Sequence, residues 1–512
     1  MGQCCSRSGA RIKSSSDHHV HLQHQITRSL RECDVMDYYD ISIKLGSGGM
    51  GSVYACTRKP RDESRHGVAE KYALKAINLK MAASGGSSSS TLKEIRAEIE
   101  CLKDLDHPYI VKCIETFEHG GNVFIIMERC FGGDLFARDP YSEKEASRII
   151  SQLLSAVSYM HSRNIIHRDL KFENIMFESR DPDSPVKIID FGLAKKHTDQ
   201  YKYVSGFGGT IYSMAPEVIK DQPYTDKADL WSMGVISYML LSSENPFRCR
   251  QDDVGYTTRR RITIDHIMLN DVDFDHFRWN DVSEQAIYFV SSLLVTDPDK
   301  RLSAAQALQS DWLQNSHLHS EEKVADGMLE IVSDRLKSYA HAAVLKKLGL
   351  LIVARRMPST MEMVELRKIF QYIDHRDEGV ITKDEFKEAL GSLLSDKEID
   401  DVFDSIDIGH DGVLHYTEFL AAMMETNVQA QEDRLLEAFE IIDSDHSGFI
   451  SKKNLKSLLG EEYSGELADA IINEADNIEK DGKISKDEFL ALFQVQNREG
   501  SISVLAPLIM VS

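Results

Sequence analysis

The chain has 512 residues, enough for about three or four domain-sized units, and its 42% hydrophobic and 28% charged content is ordinary for a globular protein. The formal net charge of -22 is unevenly spread: between Met361 and Leu490 there are 33 Asp and Glu against 13 Lys and Arg. That excess argues against nucleic acid as a partner and for a cation bound in the last quarter. The 8 cysteines are scattered, with no C-x-x-C and none after Cys249, the pattern of a reduced intracellular chain rather than a disulfide framework. No apolar run reaches the roughly 18 residues of a membrane span, and no secretory signal is visible.

Met1-Gly2-Gln3-Cys4-Cys5-Ser6 fits the N-myristoylation pattern, with Gly2 as acceptor. A single myristoyl chain gives weak, reversible membrane binding. Cys4 and Cys5 are placed for the second acyl chain that makes it stable. Arg7, Arg11 and Lys13 add charge for anionic lipid. The sequence therefore predicts a peripheral, lipid-anchored protein on the cytoplasmic face of a membrane. Residues 14–32, rich in Ser, His and Gln, read as disordered.

From Tyr39 the pattern changes. Ile41 to Leu45 alternates like a strand, Gly46-Ser-Gly48-Gly-Met-Gly51 follows, and Ser52 to Ala55 is strand-like again. A G-x-G-x-x-G between two strands suits a hairpin whose amides approach phosphate oxygens, with Val53 beside them. Tyr72-Ala-Leu-Lys75 reads as a third strand ending in a lysine, and Ala83 to Thr91 as a flexible insertion. A helical pattern through Leu92, Ile95, Ile99 and Leu102 carries Glu98. Val123 to Met127 is a buried strand leading to Glu128-Arg129-Cys130, and Asp134 follows in Gly132-Gly133-Asp134. Ser142-Glu-Lys-Glu145 is a capping box opening a helix to about Ser162.

That helix leads into Ile165-Ile-His-Arg-Asp-Leu-Lys-Phe-Glu-Asn174. The segment combines a carboxylate, a cation and an amide at the spacing phosphoryl transfer to a hydroxyl needs. H-R-D-L-x-x-x-N resembles the catalytic loop of protein kinases, and Lys two residues after Asp resembles the serine/threonine form. Val186 to Gly192 ends in D-F-G, and Ala215-Pro-Glu217 closes the segment beyond it.

The resemblance implies roles. Gly46, Gly48, Gly51 and Val53 would cover ATP. Lys75, held by Glu98, would contact its phosphates. Glu128 and Cys130 would be the hinge to adenine, guarded by Met127, and Asp134 would meet the ribose. Asn174 and Asp190 would hold Mg²⁺. Asp169 would orient the hydroxyl and take its proton, Lys171 would neutralise transferred charge, and Thr210 would contact both. Arg301 would pair with Glu217. Gly206 stands where many kinases carry an activating phosphothreonine, and Ser205 is out of register, so another switch is expected. Only Ala137 to Tyr141 separate Leu135-Phe136 from the next helix cap, shorter than in related kinases, which leaves substrate selection open.

Residues 325–356 carry apolar side chains at helical spacing, from Leu329 to Ile352, with Lys337, Lys346, Lys347, Arg355 and Arg356. This reads as a basic amphipathic helix suited to the grip of an acidic calcium-loaded lobe, with packing on the large lobe as the alternative. Four loops of EF-hand spacing follow. Loop one, 374–385, has Asp374, Glu378 and Glu385 but Arg376 at position 3, so little calcium binding is expected. Loop two, 407–418, has Asp407, Asp411 and Glu418, with Gly409 at position 3. Loop three, 443–454, has Asp443, Asp445 and Ser447, with Asn454 in place of the last glutamate. Loop four, 477–488, has Glu479, Asp481 and Glu488, with Asn477 at position 1; if Asp476 serves instead, the loop is one residue long. The expected order of binding is two, then three and four, then one. The tail after Gln494 is uninformative.

The architecture resembles the calcium-dependent protein kinases of plants and protists. That resemblance implies an α+β chain: a bilobal protein-kinase fold over 39–313, with a small antiparallel β lobe and a large α lobe. A junction helix over 325–356 and an all-α, calmodulin-like EF-hand domain over 362–494 follow. The acylated segment is 1–38 and the tail 495–512. The function implied is calcium-dependent phosphorylation of protein serine and threonine using ATP and Mg²⁺. The junction helix would block the substrate groove until Ca²⁺ lets the EF-hands remove it. Two other readings stay open: a catalytically inactive calcium-responsive scaffold, and an active kinase whose EF-hands are only structural.

Overall fold

The structure is a computed structural model. It describes residues 33–493 apart from 49–50, 60–69, 80–94, 96–98, 198–202, 205–207, 250–254, 276, 319–326, 358–360, 425–427 and 460–464. Five antiparallel strands form the small lobe in the order β1-β2-β3-β5-β4: β1 (Tyr39–Gly48), β2 (Gly51–Arg58), β3 (Lys71–Asn78), β4 (Cys113–His119) and β5 (Asn122–Glu128). β1 and β2 meet in a hairpin with Gly48 opposite Gly51, and β1 slips register between Ile41 and Gly46. The apolar alternation of β3 and β5 buries Leu74, Ile77, Ile125 and Ile126.

The large lobe is built on two helices. α1 (Glu143–Ser162) starts at the expected capping box, Ser142 with Glu145, and buries one face. α3 (Lys227–Ser242) is buried all round, so it is the spine of this lobe. The short α2 (Pro216–Ile219) precedes it, and α4 (Tyr256–Leu269), α5 (Glu284–Leu293), α6 (Ala304–Leu308) and α7 (Asp311–Leu318) follow. Arg301, buried, grips Glu217 at 2.7 and 3.1 Å, locking the end of the segment beyond Asp190 to the lobe. The shortened stretch after Asp134 folds as a single 3-10 turn, Leu135–Arg138. Arg138 pins it by donating to the carbonyls of Ser179 and Pro182 while lying over the Phe177 ring.

The single junction helix expected over 325–356 is corrected to two: α8 (Met328–Ala340) and α9 (Val344–Arg356), turning at residues 341–343. α9 is not amphipathic towards solvent. Leu345, Leu348, Leu350, Leu351, Ile352 and Val353 point in all directions and are all buried. The EF-hand domain encloses it: α10 (Met361–Ile373), α11 (Lys383–Leu390), α12 (Asp396–Ile406), α13 (Tyr416–Met423), α14 (Val428–Ile442), α15 (Lys452–Leu459), α16 (Gly465–Ala475) and α17 (Lys486–Ala491). The two loops of each pair are joined by short antiparallel contacts, Ile381 opposite Leu414 and Ile450 opposite Ile484. Gly349 lets Phe489 and Phe493 reach the α9 backbone: a Cβ there would stand 2.7 Å from Phe493.

The end of α9 and the EF-hand domain dock on the edge of the small lobe. Arg355 donates to the Leu105 carbonyl at 3.0 Å and pairs with Asp106. Arg356 pairs with Glu115 of β4 at 3.0 Å and with Glu437 of α14 at 2.6 Å. Gly379 of loop one presses on His107, where a Cβ would lie 2.1 Å from the ring. His107 is buried, and burial pushes its pKa down to about 3. The unfolded chain therefore binds a proton that the folded chain refuses as pH falls below about 6.5, so stability is full above that value and is lost on acidification. We predict that His107→Gln flattens the pH dependence of unfolding between about pH 6 and 4 by about 1.4 kcal/mol per pH unit, measured by denaturant titration. An unchanged slope would show that His107 does not titrate in this way.

Candidate active site and calcium loops

The catalytic loop is positioned from beneath by one carboxylate. Asp229 of α3 is buried and accepts the amides of His167 and Arg168 at 2.9 Å each, and His161 of α1 at 2.9 Å. Burial opposes its charge, but these donors hold its pKa below the usual range. Arg168 bends the chain with φ at 71°. His167 is buried with its ring 4.9 Å from Phe191, and burial keeps its pKa low, against the pull of Asp229.

Above this base the predicted groups converge. Asp169 Oδ1 accepts the amide and hydroxyl of Thr210, both at 2.8 Å. Lys171 Nζ bridges Asp169 Oδ2 at 2.8 Å and Thr210 Oγ1 at 2.7 Å. Asn174 Nδ2 donates to the Asp169 carbonyl at 2.8 Å, which fixes which end of the amide faces the loop. Lys75 Nζ lies 3.0 Å from Asp190 Oδ1, which also accepts the Gly192 amide. Burial raises the pKa of Asp190, but Lys75 outweighs it and leaves it low. Lys75 sits opposite Val53 in the β2–β3 register, so the hairpin of Gly46, Gly48 and Gly51 overhangs the same side. Glu98 lies outside the described residues, as do Ser205 and Gly206. Arg168 is already engaged: its Nε donates to the Leu193 carbonyl at 2.8 Å, and Tyr224 bonds to it.

At the hinge, Glu128 ends β5 and turns its side chain backward, to the Lys112 amide at 2.7 Å and Lys187 Nζ at 2.9 Å. Its backbone, not its carboxylate, is thus the part available to a base. Cys130 is half-buried, and burial pushes its thiol pKa up. Asp134 stands at the N-terminal end of the 3-10 turn, with no side-chain bond to it, and pairs by backbone with Met176.

All four calcium loops share one backbone form: positive φ at Asp377, His410, His446 and Lys480, then at Gly379, Gly412, Gly448 and Gly482. In loops one to three the first aspartate accepts the amide of that glycine, Asp374 and Asp443 at 2.8 Å and Asp407 at 2.9 Å. In loop four Asp476 does so, at 2.7 Å, across six residues instead of five. The fourth loop therefore runs from Asp476 rather than Asn477, whose side chain turns away to the Glu474 carbonyl. Asp476 is the alternative first position that the sequence left open beside Asn477, and the bond to Gly482 selects it.

The last ligands differ. Glu418 Oε1 accepts the amides of Ile408 and Gly409, and Glu488 Oε1 those of Ile478 and Glu479, while Oε2 of each caps the exit helix. Glu385 does the same with Arg376 and Thr382. Asn454 caps at Ser451 but turns its amide nitrogen to Asp445 at 3.2 Å, a donor where an oxygen ligand is needed. Asp411 of loop two is held by His415 at 2.9 Å. Ser447 donates to Asp443 Oδ1 and keeps it turned inward. Glu378 occupies position 5 of loop one, where an oxygen ligand belongs, and Glu479 and Asp481 are the carboxylates that follow Asp476 in loop four. Among the described residues, no three of these side chains converge at coordinating distance. The oxygen donor sets of loops two and four nevertheless suit a hard divalent ion.

The sequence matches the protein kinase domain family over residues 39–313 and the EF-hand domain pair over 363–424 and 432–494. It is 32% identical over 475 residues to calcium-dependent protein kinase 7 of Arabidopsis thaliana, spanning 90% of this chain and 83% of that protein. It is 33% identical to calcium-dependent protein kinase 8 of the same plant, and 32% identical to calcium-dependent protein kinase 2 of Zea mays, again over 90% of the chain. Fold and site thus define a protein kinase joined to an EF-hand region. The chain belongs to the calcium-dependent protein kinase family.

The register of loop four can be checked directly. Asp476→Ala should weaken calcium binding at that loop by about tenfold or more, while Asn477→Ala leaves it within about twofold, by calorimetry on the full chain. The reverse ranking would restore Asn477 as the first position.

Proposed function

We propose that this chain is a calcium-regulated serine/threonine kinase in which Asp169, Lys171 and Asn174 carry the chemistry. The observation that supports this most is the closed triangle of Asp169, Lys171 and Thr210 next to the Lys75–Asp190 pair. Lys75 holds the phosphates of ATP. Asp190 and the oxygen of Asn174 are the side chains that would hold Mg²⁺, which when bound neutralises charge on the phosphates. Asp169 aligns the incoming hydroxyl and accepts its proton. Lys171, already within reach of Asp169, meets the negative charge of the transferred group. Thr210 holds both in register and leaves a Ser or Thr hydroxyl as the natural acceptor.

Calcium control rests on loops two and four, through Asp407, Asp411 and Glu418, and through Asp476, Glu479, Asp481 and Glu488. Glu418 and Glu488 each cap an exit helix through Oε2, so an ion drawn to their carboxylates would act on those helices. In the arrangement described here, α9 lies inside the EF-hand domain and its end meets Leu105, Asp106 and Glu115, so it is not the blocking element. In the calcium-free chain, the junction moves to the substrate groove. Gly2 carries a myristoyl group and Cys4 or Cys5 a second acyl chain, placing the enzyme at a membrane; all three lie outside the described residues.

Asp169→Asn should lower turnover of a serine peptide by at least about 10³-fold with the melting curve unchanged, and chelating calcium should silence the unaltered chain. Persistent activity in either case removes the corresponding half of the proposal. Gly2→Ala should shift the chain from the membrane pellet to the supernatant of a cell fractionation; an unmoved distribution would exclude the lipid anchor.

A further inference from the structure

Behind the hinge, ionisable side chains of the kinase and EF-hand domains are packed together. Lys112, Lys187, Glu178 and Arg367 are all buried there. Lys187 Nζ pairs with Glu128 at 2.9 Å and also donates to the Pro108 carbonyl at 3.0 Å. The junction and the EF-hand domain supply the rest. Tyr416 lays its ring over the Lys112 ammonium at 5.4 Å, Met357 and Met363 close one side, and Arg367 of α10 holds Glu178 with both terminal nitrogens at 2.7 and 3.1 Å.

Glu178 is tied to the nucleotide cleft by its backbone. Its carbonyl accepts the Phe131 amide at 3.0 Å, and the Phe177 carbonyl accepts the Gly132 amide at 3.0 Å. Phe131 and Gly132 directly follow Cys130 in the hinge. The hinge is therefore fixed at both ends. Lys112 and Lys187 set Glu128 from within the kinase domain, whereas Phe131 rests on a segment whose buried carboxylate the EF-hand domain holds in the two-pronged grip of Arg367. A two-pronged guanidinium–carboxylate contact fixes rotation as well as distance, which a single ammonium contact does not. The groups that perform the chemistry are fixed separately, by Asp229 of α3.

We propose that Arg367 is a positioning residue for the nucleotide: through Glu178 it fixes the hinge, so that seating of the EF-hand domain governs how firmly ATP is held rather than how fast its phosphoryl group moves. This rests on the reading of the cleft as a kinase site. It adds to that reading a separate route from the calcium-binding half to the adenine end of the cleft.

The test uses the full chain at saturating calcium, with ATP and a serine peptide varied separately for Arg367→Gln, Glu178→Gln and the double variant. The KM for ATP should rise about five- to tenfold in each, with kcat and the peptide KM within about twofold of the unaltered enzyme. The double variant should be no worse than either single one. Arg367→Lys should recover part of the loss, and serves as the probe should Arg367→Gln not fold. Hydrogen exchange of the nucleotide-free protein should show faster exchange at Phe131 and Gly132 in the variants. An unchanged KM for ATP, a fall confined to kcat, or unchanged exchange at these amides overturns the proposal. Absence of phosphotransfer in the unaltered chain would strike at the kinase reading instead, and the exchange measurement would still decide the role of Arg367.

Discussion

Asp106 has no exposed surface and carries its charge at the point where three parts of the chain meet. It belongs to the kinase domain. Thr417 of the EF-hand domain donates to it twice, by amide at 3.0 Å and hydroxyl at 2.6 Å, and Arg355 of the junction stands 3.4 Å away. Burial opposes its charge, yet Arg355 and His415 hold its pKa low. A buried carboxylate stripped of such partners is destabilising by about 3–5 kcal/mol, so leaving this arrangement is costly. Glu115 repeats the logic one strand further on, gathering Tyr39, Arg58 and Arg356 while Glu437 of the EF-hand domain joins the same arginines. Desolvated charge thus has a direct part in specifying the seating.

The same economy runs through the cleft. Asp229 sets the catalytic loop, Arg301 with Glu217 sets the far end of the segment beyond Asp190, and Thr210 ties that segment to Asp169. Arg168 is occupied by a carbonyl and a tyrosine where a phosphate would otherwise be an obvious partner. The described ends of that segment are thus held by protein groups alone.

Much of this was legible in the sequence because it is local. Asp169, Lys171 and Asn174 sit within six residues, and the EF-hand loops carry their ligands at fixed steps from a glycine that must take positive φ. What escaped was either a matter of register or of distance along the chain. In loop four the glutamate and the aspartate count to different starting points, and only the Asp476–Gly482 bond decides between them. In the junction, helical spacing gave helices, but a stripe of apolar residues does not reveal that the opposite face is covered too. Arg367 and Glu178 are 189 positions apart, and neither stands in any motif. Their pairing follows from how two domains meet, which composition and periodicity do not encode.

The enclosure of α9 has a mechanical consequence. Leu345, Leu348, Leu350, Leu351, Ile352, Val353 and Ala354 leave this rod little surface for water. Set loose in water it would expose several apolar side chains at once, each worth about 1.5–3 kcal/mol in a dry setting. It cannot dangle between two states. Any departure from this cradle has to be matched by arrival at another apolar surface, so displacing the rod is a transfer of custody rather than a release.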